Sequence, residues 1–130
     1  MSKSITDSNA ILNMKYRNVA YSAVPTVYVA LMLTLPAADG TGGVEVPTSG
    51  SGYARTACAF GAAANGSIAN NAECLFPEAL ADWGNVVGFC TFSALTGGTN
   101  MDRGNLSASR QFLTGDQPRF KVGSLTITES

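Results

Sequence analysis

The sequence predicts an all-β protein: a jelly-roll-like β-sandwich of about seven short strands, preceded by one short N-terminal helix. Three observations carry this reading. Apolar and polar positions alternate with a period of two in several short runs, such as Val27–Leu31 and Leu125–Thr128. Gly, Asn, Asp and Pro clusters punctuate the chain roughly every ten residues. Helices of matching length do not recur between the strands, which argues against a parallel α/β sheet. A chain of 130 residues corresponds to one domain, 1–130, with the helix near 8–20 and a β body near 25–128.

The elements follow in order. Asp7 or Ser8 can cap the helix, and Ile11, Leu12, Tyr16 and Val19 then fall on one face at helical spacing. Pro25 closes that stretch, because proline disfavours helical geometry in the residue before it. From Val27 the period becomes two, and Val27, Val29 and Leu31 oppose Tyr28, Ala30 and Met32. Both sides are apolar, so this strand is expected at the centre of a sheet, covered on both faces. Residues 36–51 read as a long loop or a pair of short edge pieces, with Val44 and Val46 their large apolar residues.

Alternation resumes over Gly52–Phe60, and Asn65-Gly66 suits the left-handed backbone of a tight hairpin turn. Ile68, Ala72, Cys74 and Phe76 form the return strand, and 78–81 is at most a helical turn. Val86–Phe92 is a second strand apolar on both faces. After Gly97-Gly98 comes a polar stretch, and then Leu106, Ala108 and Phe112 alternate against Ser107, Ser109 and Gln111. Gly115-Asp116 turns the chain, and Arg119–Val122 and Leu125–Thr128 finish it, kinked at Gly123.

Hydrophobic residues make up 45% of the chain, enough for a core, whereas charged residues are only 13%. Eight Lys and Arg against nine Asp and Glu leave a net charge of −1. So lightly charged a surface is poorly protected against self-association, and much of it is expected to lie under neighbouring subunits. The same balance excludes classes of partner. No cluster of cations exists to displace counterions from phosphate, so nucleic acid is not expected. The longest apolar stretch, Val27–Leu35, is about half of what a bilayer-crossing helix needs. Polar residues follow Met1–Ile5 where a secretory signal would have its apolar core, so synthesis without export is expected.

Chemistry is sparsely equipped. With no histidine, the commonest general base and metal-binding imidazole are missing. Glu73, Glu78 and Asp82 are near in sequence but sit in no catalytic motif, and read as solvated loop carboxylates. Gly40–Gly43 leads into an extended segment rather than a helix, so it makes a turn and not a phosphate cradle. No enzyme activity, cofactor or metal is expected.

Cys58, Cys74 and Cys90 are evenly spaced, and each stands two residues before a phenylalanine. That places all three on the core-facing side of their strands. They are either small buried hydrophobes or disulfide partners, and a zinc site lacks any C-x-x-C pair. Cys74, in the polar run Asn70–Glu73, is the candidate for a covalent tie to another subunit across an exposed edge. Trp83 reads as a core or interface anchor, or else as a platform for stacking a sugar ring. Tyr53 and Arg55 share a strand face and are expected as an exposed pair at a subunit contact.

The order of the short motifs resembles the small tail-fibre-like structural proteins of tailed bacteriophages. The resemblance rests on the helix with Asn9–Leu12, then Pro25-Thr26-Val27-Tyr28-Val29-Ala30-Leu31, Glu45-Val46, Gly52-Tyr53-Ala54-Arg55, Phe76-Pro77, Asp82-Trp83-Gly84 and Gly123-Ser124-Leu125-Thr126-Ile127. It spans residues 8–128, and the chain departs from it in its three cysteines and in the longer stretch 100–110. It implies a non-enzymatic virion protein, such as a fibre, neck or collar, or capsid decoration subunit, assembled in the host bacterial cytoplasm. The implied partners are other phage structural proteins, and the low net charge adds copies of the chain itself in a closed oligomer, a trimer or hexamer, since such rings fit around tails and capsid axes. A module that binds bacterial surface glycan through Trp83 and the tyrosines is the alternative.

Overall fold

Helix α1 (Ile5–Arg17) starts and stops three residues earlier than the spacing predicts. The reason is the cap. Ser4 is extended, and its hydroxyl accepts the Asp7 backbone N–H at 3.1 Å while donating to the Asn100 carbonyl at 2.6 Å. Asp7 is therefore inside the first turn, where its carboxylate accepts a hydrogen bond from the Tyr21 hydroxyl. Asn18 ends the helix in the left-handed conformation, at φ 56°. Residues 2–128 are described by this computed structural model. Met1, Glu129 and Ser130, the ends of the expected domain, lie outside the described residues.

Ten strands follow one another in the described chain, several of them only two residues long. They are β1 (Ser2–Lys3), β2 (Val27–Thr34), β3 (Val44–Glu45), β4 (Thr56–Cys58), β5 (Ser67–Ala69), β6 (Cys74–Leu75), β7 (Gly84–Phe92), β8 (Asn100–Phe112), β9 (Arg119–Phe120) and β10 (Thr126–Thr128). All pairings are antiparallel. Six strands make one sheet in the order β1-β8-β7-β2-β3, with β4 beside β3 along the same edge of β2. Two ribbons, β5–β10 and β6–β9, complete the all-β body with its single N-terminal helix.

Strands β2 and β7 are central, as their two-sided apolar pattern requires. Val29 and Leu31 of β2 join Val86 and Phe89 of β7 on one face, under Cys74, Phe76, Phe120 and Leu125 from the ribbon side. Ala30, Met32 and Cys90 bury the opposite face with Leu35 and Phe92. Each large side chain so buried contributes about 2 kcal/mol of transfer free energy. The ribbons thus cover one face of the large sheet. Gly88 of β7 is needed where it stands, since a Cβ there would run into the Gly104 carbonyl oxygen of β8.

Two stretches differ from the sequence expectation. The polar segment after Gly97-Gly98, given no element in the sequence reading, is the first half of β8, because β7 and β1 supply its hydrogen-bond partners. The alternation over 106–112 is broken instead: Val86 pairs with Arg110 and Gly88 with Asn105, so residues 106–109 bulge out opposite a single β7 residue. Ala108 is accordingly exposed. The Asn65-Gly66 turn forms, with φ 54° and 74° and a bridge between Ala64 and Ser67. Its return strand, however, splits into β5 and β6, which pair mainly with the C-terminal strands β10 and β9.

Candidate functional site

The residues singled out in the sequence gather inside the protein. Tyr53 is buried, and its hydroxyl donates to Glu45 Oε2 at 2.6 Å and accepts the Leu31 backbone N–H at 3.0 Å. Burial, then the hydrogen bond to Glu45, raises the pKa of this phenol well above its ordinary value. Its ring meets Trp83 edge-on at 5.4 Å and stacks on Phe76 at 6.5 Å. Trp83 is 2% exposed, and its indole N–H donates to the Ser51 carbonyl at 2.8 Å. A ring enclosed this way cannot stack a sugar, so Trp83 is a core anchor and the contact role is corrected.

Arg55 does share a face with Tyr53, but that face turns toward Glu45 rather than outward. The guanidinium pairs with the Glu45 carboxylate at 3.0 Å through Nη2 and donates from Nη1 to the carbonyls of Ala94 and Gly97. It also lies 3.7 Å above the Phe92 ring. The expected exposed Tyr53–Arg55 pair is therefore a fastening inside one subunit: it clips the β3 edge and the 94–97 turn together. Sequence reading overlooked Glu45 as the hub of this cluster. The available signal was a carboxylate between two valines in a short edge strand.

The cysteines divide. Cys58 and Cys74 form a disulfide within the chain, with Cα atoms 5.4 Å apart, in the usual range for such a bond. Cys74 is fully buried, and its sulfur is already committed, which corrects its assignment as a tie to another subunit. The expected edge is closed because β6 pairs with β9. Cys90 is a buried free thiol, but on the opposite face of the sheet from the other two. Burial is the first cause, and Glu45 the second, that pushes its pKa up to about 12, so it stays protonated and inert at neutral pH.

Asn70 is the second residue that sequence reading missed, having been placed in a polar edge. It is 2% exposed. Its Nδ2 donates to the carbonyls of Ala72 and Lys121, both at 2.9 Å, and its Oδ1 accepts the Leu125 N–H at 3.0 Å. One side chain thus stitches the hairpin to the C-terminal segment. The carboxylates Glu73, Glu78 and Asp82 are all exposed; Glu73 lies 3.9 Å from Arg119, and Asp82 accepts from the Thr114 N–H at 2.9 Å. Among the described residues, no three His, Cys, Asp or Glu side chains gather as a metal site, and no helix is long and apolar enough to cross a membrane.

Several large apolar side chains are exposed. Ile5, Leu12 and Tyr16 of α1 are exposed, Tyr16 by 80%. At 100° per residue they fall within about 40° of one another, on the side of the helix opposite Asp7 and Ala10. Val19 extends the exposed apolar surface just beyond the helix. The expected apolar face therefore exists, but it points outward, with only Ile11 partly covered. Leu80 and Leu113 are also exposed, in the 78–82 and 113–116 loops, which are joined by hydrogen bonds from Ala79 to Asp116 and from Gly115 to Ala79.

No curated protein matches the chain. Residues 2–128, nearly its whole length, match the protein-family model described as podophage GP4 fiber I protein gp80. On that match the protein belongs to this phage fibre family, a structural, non-enzymatic part of the virion.

Proposed function

We propose that this fibre protein acts by packing against copies of itself, as a trimer or hexamer, and against other virion proteins. The observation that carries the reading is the outward stripe Ile5, Leu12 and Tyr16 on α1. A helix of 13 residues is marginal in water by itself, and one that turns its large apolar residues to solvent gains from a neighbour that covers them. The low net charge of the chain supports the same conclusion.

The chain is read as one β-sandwich domain, supported by a core cluster that joins residues from Val29 to Leu125. Synthesis and assembly take place in the host bacterial cytoplasm, and attachment is by fibre, neck or shell contacts of this kind. Short-range lysine cross-linking of intact particles tests the reading. A ladder of this chain joined to itself is expected. Recovery of the chain only as uncross-linked monomer, or only joined to other proteins, would overturn the self-packing.

A further inference from the structure

Cations that lie dispersed in the sequence are gathered by the fold. A groove of about 530 Å³ runs between one wall of β8, at residues 104–108, and a second wall at 118–120 and 124–126. Leu31 and Phe89 of the large sheet meet its floor. It shares Arg110, Phe112, Pro118 and Arg119 with an adjoining cavity of about 570 Å³, which adds Lys121 and Asp116. Both volumes are of the size that ligand clefts usually have.

The positive charge of this groove is largely uncompensated. Arg110, Arg119 and Lys121 are all exposed. Asp116 is the one carboxylate among the residues that line the groove, and its Oδ2 already accepts the Leu113 N–H at 2.8 Å. Arg119 lies 3.9 Å from Glu73, which does not line the groove, and so long and exposed a pair holds little. Arg110 sits 5.6 Å over the Phe112 ring, and neither it nor Lys121 makes an ion pair among the described residues.

The β8 wall is also an open strand edge. On the side away from β7, β1 stops at Arg103, and no strand among the described residues covers β8 beyond it. On the inner side β7 passes over residues 106–109. The side chains of Ser107, Ser109 and Gln111 make no hydrogen bond among the described residues. An extended chain entering the groove thus meets backbone groups of an unpaired edge together with cations suited to carboxylates.

We infer that this groove docks an extended, acidic segment of another virion protein, laid along the β8 edge. Its carboxylates meet Arg110, Arg119 and Lys121, and its apolar side chains turn toward Leu31 and Phe89. A second copy's β8 is a poorer occupant, because its residues 104–112 carry Arg110 and no carboxylate. An acidic glycan would use the cations but not the strand edge. The inference names the chemistry of one class of partner in the proposed function and rests on that reading.

Calorimetric titration of the full chain tests it, with a capped nonapeptide in which Glu and Val alternate as the probe. The controls are the same peptide with Lys for Glu, the same peptide N-methylated along its backbone, and a galacturonate oligomer. The glutamate peptide should bind at least about tenfold more tightly than any control, and Arg110→Glu/Lys121→Glu should weaken it by about tenfold or more. Both positions are exposed, so the melting point should hold, and Lys121→Glu alone serves where the double variant does not fold. Failure of the glutamate peptide to bind, equal binding after N-methylation, or unchanged affinity in the variants overturns the site. Tighter binding of the galacturonate oligomer overturns it in favour of a glycan. Self-packing stands or falls separately, by the cross-linking ladder.

Discussion

Tyr53 and Glu45 meet through a 2.6 Å hydrogen bond, and that bond joins the aromatic core to the edge of the sheet. From the core side, Tyr53 touches Trp83 and Phe76. From the edge side, Glu45 is held by Arg55, which in turn reaches the 94–97 turn. Tyr53 and Arg55, which look like surface equipment in the sequence, are therefore internal fasteners.

Tyr53→Phe should cost about 1–3 kcal/mol, because the buried Leu31 N–H loses its acceptor while the packed ring is kept. The hydroxyl also sets a pH limit. Raised phenol pKa values mean that the folded state favours the protonated form; Tyr21 is held at about 12 by burial and by Asp7, and Tyr53 is shifted in the same direction. That contribution is complete below the ordinary tyrosine pKa of 10.0 and is lost as the pH climbs toward 12. Urea melts should show stability falling above pH 10, more shallowly in Tyr53→Phe. A stability that is level across this interval contradicts the assignment.

Breaking the disulfide should destabilise the chain by about 3 kcal/mol, the value expected for closing a loop of this length. Thermal melts with and without reductant, and of Cys58→Ser/Cys74→Ser, measure it. Detergent gels without reductant should show this protein as monomer, since Cys58 and Cys74 pair within one chain and Cys90 is enclosed. Reductant-sensitive dimers would contradict that pairing.

Asn70→Ala should be among the most damaging single changes, at about 3 kcal/mol, because it leaves a buried N–H and two carbonyls without their partner. Asn70→Asp should fare no better, since a carboxylate cannot donate to the Ala72 and Lys121 carbonyls. Denaturant unfolding of both variants decides this, and a cost below about 0.5 kcal/mol would remove Asn70 from the role of stitch.

The sequence made the central strands legible, because β2 and β7 are apolar on both faces and no other placement buries Val29 with Ala30 or Phe89 with Cys90. Asn65-Gly66 was legible for a local reason: both residues must adopt positive φ. What escaped was set by distant partners. Residues 100–105 are polar yet form a strand, since β1 and β7 satisfy their backbone. Tyr53 and Arg55 were misplaced because a polar atom on each suggests exposure until its buried partner is known. The helix cap was missed for the same reason, as Ser4 is chosen over Asp7 by its contact with Asn100.

Leu12→Ser and Tyr16→Ser should change folding stability by less than about 0.5 kcal/mol, since both side chains face solvent in the single chain. Their effect should appear in particles instead, as reduced incorporation of the protein measured by quantitative gel or mass spectrometry. Incorporation equal to wild type would remove the α1 stripe from assembly.

The central claim is that this fibre protein works through the surface it covers, and electron cryomicroscopy of whole particles tests it most directly. Ile5, Leu12 and Tyr16 should be buried against a neighbouring subunit while Trp83 and Tyr53 remain inside their own. An α1 stripe facing open solvent in the assembled virion would contradict it.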